Sequence, residues 1–152
     1  RRRYCWHVRG SLDSDAMQRA AHAWLGEHDF RSFESHWPNR ATSVRTIREV
    51  SVRRLPAPDE GIVQFEVAAD GFLYNMVRAM TGTLVEVGLG RKDETWPHRL
   101  LQAQDRSAGD QTAPPQGLFL VNVDYEGIVF GGSNAVTTPD VQGGPLKAGP
   151  GD

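Results

Sequence analysis

The fold is decided by residues 44–69, which read VRTIREVSVRRLPAPDEGIVQFEVAA. Two β-prone runs, 44–54 and 62–69, flank a short segment that contains two prolines and a glycine. In the second run apolar residues alternate with polar ones, which is typical of a strand with one buried face. Two such runs joined by a turn predict an antiparallel hairpin. The alternating apolar residues are Val63, Phe65 and Val67.

Helical patterns lie on both sides of this hairpin. Residues 15–25, 71–87 and 95–104 are predicted helices, and the second has the strongest signal. At 100° per residue, its apolar side chains fall within an arc of about 140°. The remaining segments are two further strands and two loops, predicted at 1–10, 118–123, 27–41 and 109–116.

The predicted order β-α-β-β-α-α-β, with its hairpin, indicates an α+β fold in which helices pack on one face of an antiparallel sheet. A chain of 152 residues is long enough for one domain with a real core. We expect that domain to cover residues 1–130 and to be followed by an irregular tail at 131–152.

Composition excludes several classes of protein. No run approaches about 18 consecutive apolar residues, so no transmembrane helix is predicted. The single cysteine, Cys5, excludes an internal disulfide framework and a cysteine-based zinc site. A lone cysteine also suits a reducing compartment, and we expect a cytoplasmic protein.

Charge is distributed unevenly along the chain. Residues 1–54 carry 11 arginines against six acidic residues, whereas residues 55–152 carry six basic and 13 acidic residues. A basic half can form a surface for a polyanion, and forked arginine donors suit phosphate. The alternative is that these arginines are merely solvated.

Two sets of residues are candidates for chemistry. Arg78 lies opposite the apolar face of its predicted helix, one turn from Gly82, where a second surface could approach closely. Tyr4 and Trp6 share a face of the first predicted strand and could form an aromatic platform for a base, or could be core residues. Cys5, on the other face, is expected to be a small buried side chain.

The segment Gly26-Glu27-His28-Asp29-Phe30 places an imidazole between two carboxylates, with His36 further on. Its spacing matches no known metal signature, and we expect no metal. Arginines just beyond it, at Arg31, Arg40 and Arg45, favour phosphate contacts instead. The RNA-binding candidates are Arg3, His28, Arg31, Arg40 and Arg45.

Taken in order, the motifs of residues 1–125 resemble the C-terminal half of the tRNA pseudouridine synthase A (TruA) family. Each motif is a weak signal, but the ordered set is specific. The matches are Arg2-Arg3-Tyr4, Gly26-Glu27-His28-Asp29-Phe30 with Ser32-Phe33, Ser43-Val44-Arg45, Phe72-Leu73, Met76-Val77-Arg78, Gly82-Thr83-Leu84, Glu86-Val87-Gly88, Asp105-Arg106, Ala113-Pro114-Pro115, Gly117-Leu118 and Val123-Asp124-Tyr125.

The resemblance implies an isomerase that converts uridine to pseudouridine at positions 38 to 40 of the tRNA anticodon arm. It also implies a homodimer without a cofactor. By residue-by-residue similarity, Tyr4 corresponds to a tyrosine that stacks on the target uracil and takes a proton in the second stage. Arg78 corresponds to the partner of the catalytic aspartate, and Leu118 to an apolar residue of the uracil pocket. These roles suit the chemistry, because an ionised carboxylate needs an opposite charge and a flipped base needs aromatic and apolar walls.

Two departures from the family accompany these matches. The Gly-Arg-Thr-Asp-Ala-Gly-type motif that carries the catalytic aspartate is absent from the sequence, and Asp70 aligns with a strand-to-helix turn instead. We therefore expect an N-terminal half to complete the enzyme, and this chain to be inactive alone. The connection between Val8 and Leu12 is also shorter than in the family: either the segment is deleted, or a disordered loop is missing from this sequence. A shorter loop could remove some contacts with tRNA or between subunits.

The alternatives are a non-catalytic RNA-binding α+β module that uses Tyr4, Trp6 and the arginines, and an interaction domain with solvated arginines.

Overall fold

The computed structural model describes residues 4–35 and 42–124. By its internal contacts the chain forms two units, Arg1–Phe119 and Leu120–Asp152, and the elements described below all belong to the first. They are helix α1 (Ser14–Ala21), strands β1 (Gly26–Asp29), β2 (Val44–Arg54) and β3 (Val63–Ala69), and helices α2 (Met76–Gly88) and α3 (Trp96–Ala103). Short 3-10 turns lie at His22–Trp24, Arg31–Phe33 and Arg106–Ala108. None of the helices in the described ranges is long and apolar enough to cross a membrane.

The predicted hairpin is confirmed and forms the centre of the sheet. The strands run β1-β2-β3, and both neighbouring pairs are antiparallel. Ile47, Val50 and Val52 of β2 face the helices, although an unbroken strand would place Ile47 and Val50 on opposite faces. A register shift between Ile47 and Glu49 places these side chains on one face, because the extra residue, Arg48, reverses the alternation of the strand once.

Helix α1 packs against β2, α2 and α3 pack against α1 and against each other, and all three share one core with the sheet, so the predicted α+β architecture is confirmed. The core centres on Trp24, which lies edge-on to Phe33 with ring centroids 5.5 Å apart. Met80 and Leu84 of α2 and Leu100 of α3 are fully buried in the same core. Asp13 caps α1, since its carboxylate accepts hydrogen bonds from the backbone N–H groups of Asp15 and Ala16.

Two predicted strands are wrong within the described residues. Residues 4–10 and 118–123 contain no strand, although both have a strand-like sequence pattern. A strand forms only where a neighbour pairs its N–H and C=O groups, and alternation reports a face but not a partner. Leu120 and Val121 accordingly remain 78% and 86% exposed.

Two further boundaries differ from prediction. The predicted loop at 27–41 contains strand β1, because Gly26–Asp29 pairs along the free edge of β2. The predicted helix at 71–87 begins only at Met76, since Asn75 before it has a φ of 60°, outside the right-handed helical region.

The face of α2 opposite its apolar side chains, which carries Arg78 and Gly82, is covered by another segment of the chain. The segment 111–113 crosses it at Gly82, which is itself buried. A Cβ at Gly82 would lie 1.8 Å from the carbonyl oxygen of Gln111, so no side chain fits there. The expected close approach at this glycine is confirmed, and the surface that approaches belongs to the same chain.

We expect Gly82→Ala to lower the free energy of unfolding by about 1–3 kcal/mol, because the backbone of Gln111 has to move. The loss should outweigh the better helix propensity of alanine, which is worth about 1 kcal/mol. Denaturant unfolding of the chain measures this. The matched control is Gly61→Ala, where a Cβ meets no atom within 4 Å and a change within about 0.5 kcal/mol is expected. Equal stability of the Gly82 variant and the wild type would contradict the packing described here.

Candidate active site

Arg78 lies in the first turn of α2, and its half-buried side chain contacts the crossing segment. Its Nε donates a hydrogen bond to the carbonyl oxygen of Ala113 at 2.7 Å, and its Nη1 donates to Oδ1 of Asn75 at 2.8 Å. In return, the backbone N–H of Ala113 donates to the carbonyl oxygen of Arg78 at 3.0 Å. The arginine is therefore held in place and is not freely solvated.

One nitrogen of the Arg78 guanidinium, Nη2, has no hydrogen-bond acceptor within the described residues. An arginine carries five N–H donors, and Nη2 of Arg78 makes no hydrogen bond to the residues that the structure describes. A guanidinium fixed at two positions, with a third nitrogen unengaged, is suited to bind an anion in a defined orientation.

The segment that begins at Ala113 leads to Leu118. The backbone N–H of Leu118 donates to the carbonyl oxygen of Pro115 at 3.2 Å, which closes a turn before it. Leu118 is half exposed, although it belongs to an apolar run. An exposed apolar side chain after an anchored turn can form one wall of a pocket for a planar group.

Tyr4 lies beside the same turn. Gly117 has a φ of 88°, and a Cβ there would lie 3.0 Å from the carbonyl oxygen of Tyr4. The backbones of Tyr4 and Leu118 therefore lie close together at the turn that contains Gly117. The segment that leads to this turn begins at Ala113, which is hydrogen-bonded to Arg78. Tyr4 is 65% exposed, which leaves it accessible to a ligand.

The expected aromatic platform is not formed by strand alternation, because residues 4–6 are not in a strand. Tyr4 is exposed and Trp6 is half-buried. Cys5 was expected to be buried but is only half-buried as well, for the same reason.

Two of the RNA-binding candidates are neighbours across the sheet. His28 of β1 lies directly opposite Arg45 of β2. The Nε2 of His28 donates to the carbonyl oxygen of Leu25 at 2.8 Å, while Nη1 of Arg45 donates to the carbonyl oxygens of Thr42 and Val44. Because carbonyl oxygens carry no formal charge, the positive charge of Arg45 is not neutralised by these bonds.

Arg31, unlike Arg45, is paired with a carboxylate. Its Nη2 donates to Oδ2 of Asp29 at 2.6 Å, and its Nε lies 3.0–3.1 Å from both carboxylate oxygens. Burial by itself raises the pKa of Asp29, but the hydrogen bonds and charge of Arg31 outweigh it, so the pKa is lowered. The hydrogen bond to Asp29 in turn raises the pKa of Arg31. Its charge is largely compensated, which weakens it as a phosphate contact. The candidates Arg3 and Arg40, together with His36, lie outside the described residues.

Several other arginines are also paired with carboxylates, so the basic bias of the first half of the chain is partly cancelled in three dimensions. Arg48 and Arg54 are exceptions that the sequence did not single out, since within residues 4–35 and 42–124 both donate only to backbone carbonyl oxygens. The paired arginines are Arg19 with Glu94, Arg53 with Glu66, Arg91 with Glu86 and Arg99 with Asp93.

Asp70 has a structural contact of its own. Its carboxylate accepts a hydrogen bond from the backbone N–H of Thr46 at 3.0 Å and so closes the end of the hairpin. Across residues 4–35 and 42–124, no three histidine, cysteine, aspartate or glutamate side chains converge to hold a metal ion. The candidate site therefore consists of the cation of Arg78, the aromatic ring of Tyr4 and the apolar side chain of Leu118.

Comparisons with known proteins point to one family. A family model described as tRNA pseudouridine synthase matches residues 20–126. The tRNA pseudouridine synthase A of Acetivibrio thermocellus is 47% identical over 120 residues, which are 79% of this chain and 48% of that protein. The protein of the same name from Geotalea uraniireducens is 48% identical over 120 residues, again 79% of this chain and 48% of the relative. That from Thermoanaerobacter pseudethanolicus is 38% identical over 124 residues, with 82% and 49% covered.

This chain thus spans about half the length of the curated relatives that it matches. Within that span, a single family accounts for the ordered motifs, the α+β fold and the family-model match alike. This chain belongs to the tRNA pseudouridine synthase family.

Proposed function

We propose that this chain supplies one side of the active site of a tRNA pseudouridine synthase, which turns uridine into pseudouridine in the anticodon arm at positions 38 to 40. The observation that carries the proposal is the fixed guanidinium of Arg78, with Nη2 unengaged by the described residues. The family and the named relatives give the reaction class.

The reaction is an isomerisation, so its atoms balance within the substrate. The bond between ribose C1′ and uracil N1 breaks, and a bond between C1′ and C5 forms. C5 then loses a proton and N1 carries one. No electron leaves the nucleotide, and the protein has to supply a nucleophile or base, orientation and a proton acceptor.

In this proposal Arg78 pairs with a catalytic aspartate that another part of the enzyme provides. A carboxylate remains ionised more readily beside an opposite charge, and a planar guanidinium also sets its direction. Because Nε is used on Ala113 and one bond of Nη1 on Asn75, the carboxylate would bind at the Nη2 end of the fork.

Tyr4 and Leu118 are proposed to enclose the flipped uracil. A base taken out of its stack needs an aromatic face and an apolar wall to replace its neighbours. Both side chains are exposed, and their backbones meet at Gly117. The phenol of Tyr4 is then the proposed acceptor of the C5 proton.

Arg45 and His28 are the proposed phosphate contacts that the fold supports best, because they are adjacent and no acidic side chain pairs with Arg45 in the described part of the chain. Arg3, Arg31 and Arg40 remain proposals on sequence grounds. We further propose, from the resemblance to the family, that the full-length enzyme is a cytoplasmic homodimer completed by an N-terminal half.

We expect the 152-residue chain alone to form no pseudouridine on unmodified tRNA, because it carries no aspartate motif to attack or deprotonate the nucleotide. Its affinity for tRNA should fall as salt rises, since arginine–phosphate contacts release counterions. Pseudouridine analysis and binding titrations measure both, with the full-length enzyme as the positive control. Turnover by the chain, free of host enzyme, would overturn the expectation. A full-length protein that binds tRNA without turnover would instead support a non-catalytic RNA-binding module.

In the full-length enzyme, we expect Arg78→Lys to slow the chemical step by about 10²-fold, since lysine keeps the charge but loses the planar fork and its bond to Ala113. Affinity for tRNA should change much less, because many cations share the phosphate contacts. Single-turnover kinetics and tRNA binding measure this. Arg99→Lys is the matched control, because Arg99 is an exposed arginine paired with Asp93 and should behave as wild type. A normal chemical step with sharply weaker binding would make Arg78 a phosphate contact.

A further inference from the structure

Asn75 immediately precedes α2 and has an unusual backbone conformation. Its φ is 60° and its ψ is 6°, in the left-handed region that non-glycine residues seldom adopt. Glycine would adopt this conformation without a steric cost. Among the other residues asparagine tolerates it best, because its short polar side chain forms local hydrogen bonds, so the bonds of that side chain give the reason for the conformation.

Helix capping does not supply that reason. An asparagine at the start of a helix usually accepts a hydrogen bond from the second or third backbone N–H of the helix. The side chain of Asn75 makes no such capping bond.

Instead, the amide group of Asn75 bridges Arg78 and Ser35. Its Oδ1 accepts from Nη1 of Arg78 at 2.8 Å, and its Nδ2 donates to Oγ of Ser35 at 3.1 Å. The two bonds fix the orientation of the amide, because a flipped amide would turn its NH₂ group toward the donors of the guanidinium. The backbone N–H of Ser35 also donates to the carbonyl oxygen of Tyr74 at 3.1 Å, so Ser35 is held in turn.

Arg78 is thus held from two independent directions. Ala113 fixes Nε from the crossing segment, and Asn75 fixes Nη1 from the start of the helix. Because the N–H bonds lie in the plane of the guanidinium, hydrogen bonds at two of its nitrogens restrain that plane and the direction of the third nitrogen. One bond alone would leave the plane free to turn about the line of that bond.

We infer that Asn75 is a positioning residue for the isomerisation, which acts by orienting the guanidinium of Arg78 toward the catalytic carboxylate. The inference rests on the proposed function and adds to it a residue that touches neither the substrate nor the carboxylate. Ser35 belongs to the same arrangement, since it holds the other end of the amide.

The test is Asn75→Gly in the full-length enzyme, because glycine keeps the left-handed backbone and removes only the amide. We expect the single-turnover rate to fall about tenfold or more while the dissociation constant for tRNA stays within about twofold. The acidic limb of the pH–rate profile should move to higher pH, since a less well positioned Arg78 lowers the pKa of its carboxylate partner less. A purely structural role would not move that limb.

The matched control is Gln104→Gly. Gln104 is the other non-glycine residue with positive φ among the described residues, at 49°, and it is exposed at the end of α3. We expect this variant to match the wild type in rate and pH profile. In an Arg78→Lys background, Asn75→Gly should slow the reaction no further, because the group that it orients is already gone.

A wild-type rate for Asn75→Gly, or a full additional loss in the Arg78→Lys background, would overturn the positioning role. If Asn75→Gly does not fold, Ser35→Ala gives the same test, with a smaller loss of rate expected and an unchanged rate overturning the inference. A normal chemical step in Arg78→Lys would overturn the proposed function itself, whereas a slow Arg78→Lys with a normal Asn75→Gly would overturn only the role of Asn75.

Discussion

The arrangement of the candidate site depends on the reciprocal contact between Arg78 and Ala113 across the face of α2. Two hydrogen bonds join these residues in opposite directions, at 2.7 and 3.0 Å. They are possible because Gly82, one turn further along, lets the carbonyl group of Gln111 pass where a Cβ would overlap it. This contact fixes the start of the segment that ends at Leu118, and the turn at Gly117 adjoins Tyr4. Three residues far apart in sequence are thereby related through one short stretch of backbone.

The arginines of this chain illustrate how folding redistributes charge. Along the sequence they suggest a uniformly basic first half, but Arg19, Arg31 and Arg53 are paired with carboxylates, two of which lie in the acidic second half. Exposed pairs of this kind contribute little to stability. The pairing instead compensates the charge of these arginines, which makes them weaker candidates for phosphate binding. The arginines that donate to uncharged carbonyl oxygens are then the better candidates. Arg45 and Arg78 are both in this second group, since Asn75 and the backbone accept their hydrogen bonds.

Sequence reasoning succeeded where the deciding interactions are local or periodic. Alternation located the hairpin of β2 and β3, and a 3.6-residue period located α1, α2 and α3, because both patterns record which side chains face the core. It failed where a partner decides the outcome. Strand β1 has no strong pattern and forms because the edge of β2 is available to it, whereas 118–123 has a strong pattern and no strand forms there. The register shift after Ile47 also had no visible signal, since it depends on pairing with β3.

The sequence by itself determined the α+β class, the hairpin, the three helices and, through its ordered motifs, the family; it also proposes Tyr4, Arg78 and Leu118 as site residues, which stays a prediction. Side-chain periodicity and motif order are properties of the chain, and they need no knowledge of distant contacts. Only the tertiary structure decided that Arg78 is anchored rather than solvated, that Asp29 compensates Arg31, and that the amide of Asn75 faces the guanidinium instead of capping its helix. These features depend on hydrogen-bond geometry between groups brought together by packing, and a backbone at φ 60° or a carbonyl crossing a glycine has no periodic signature.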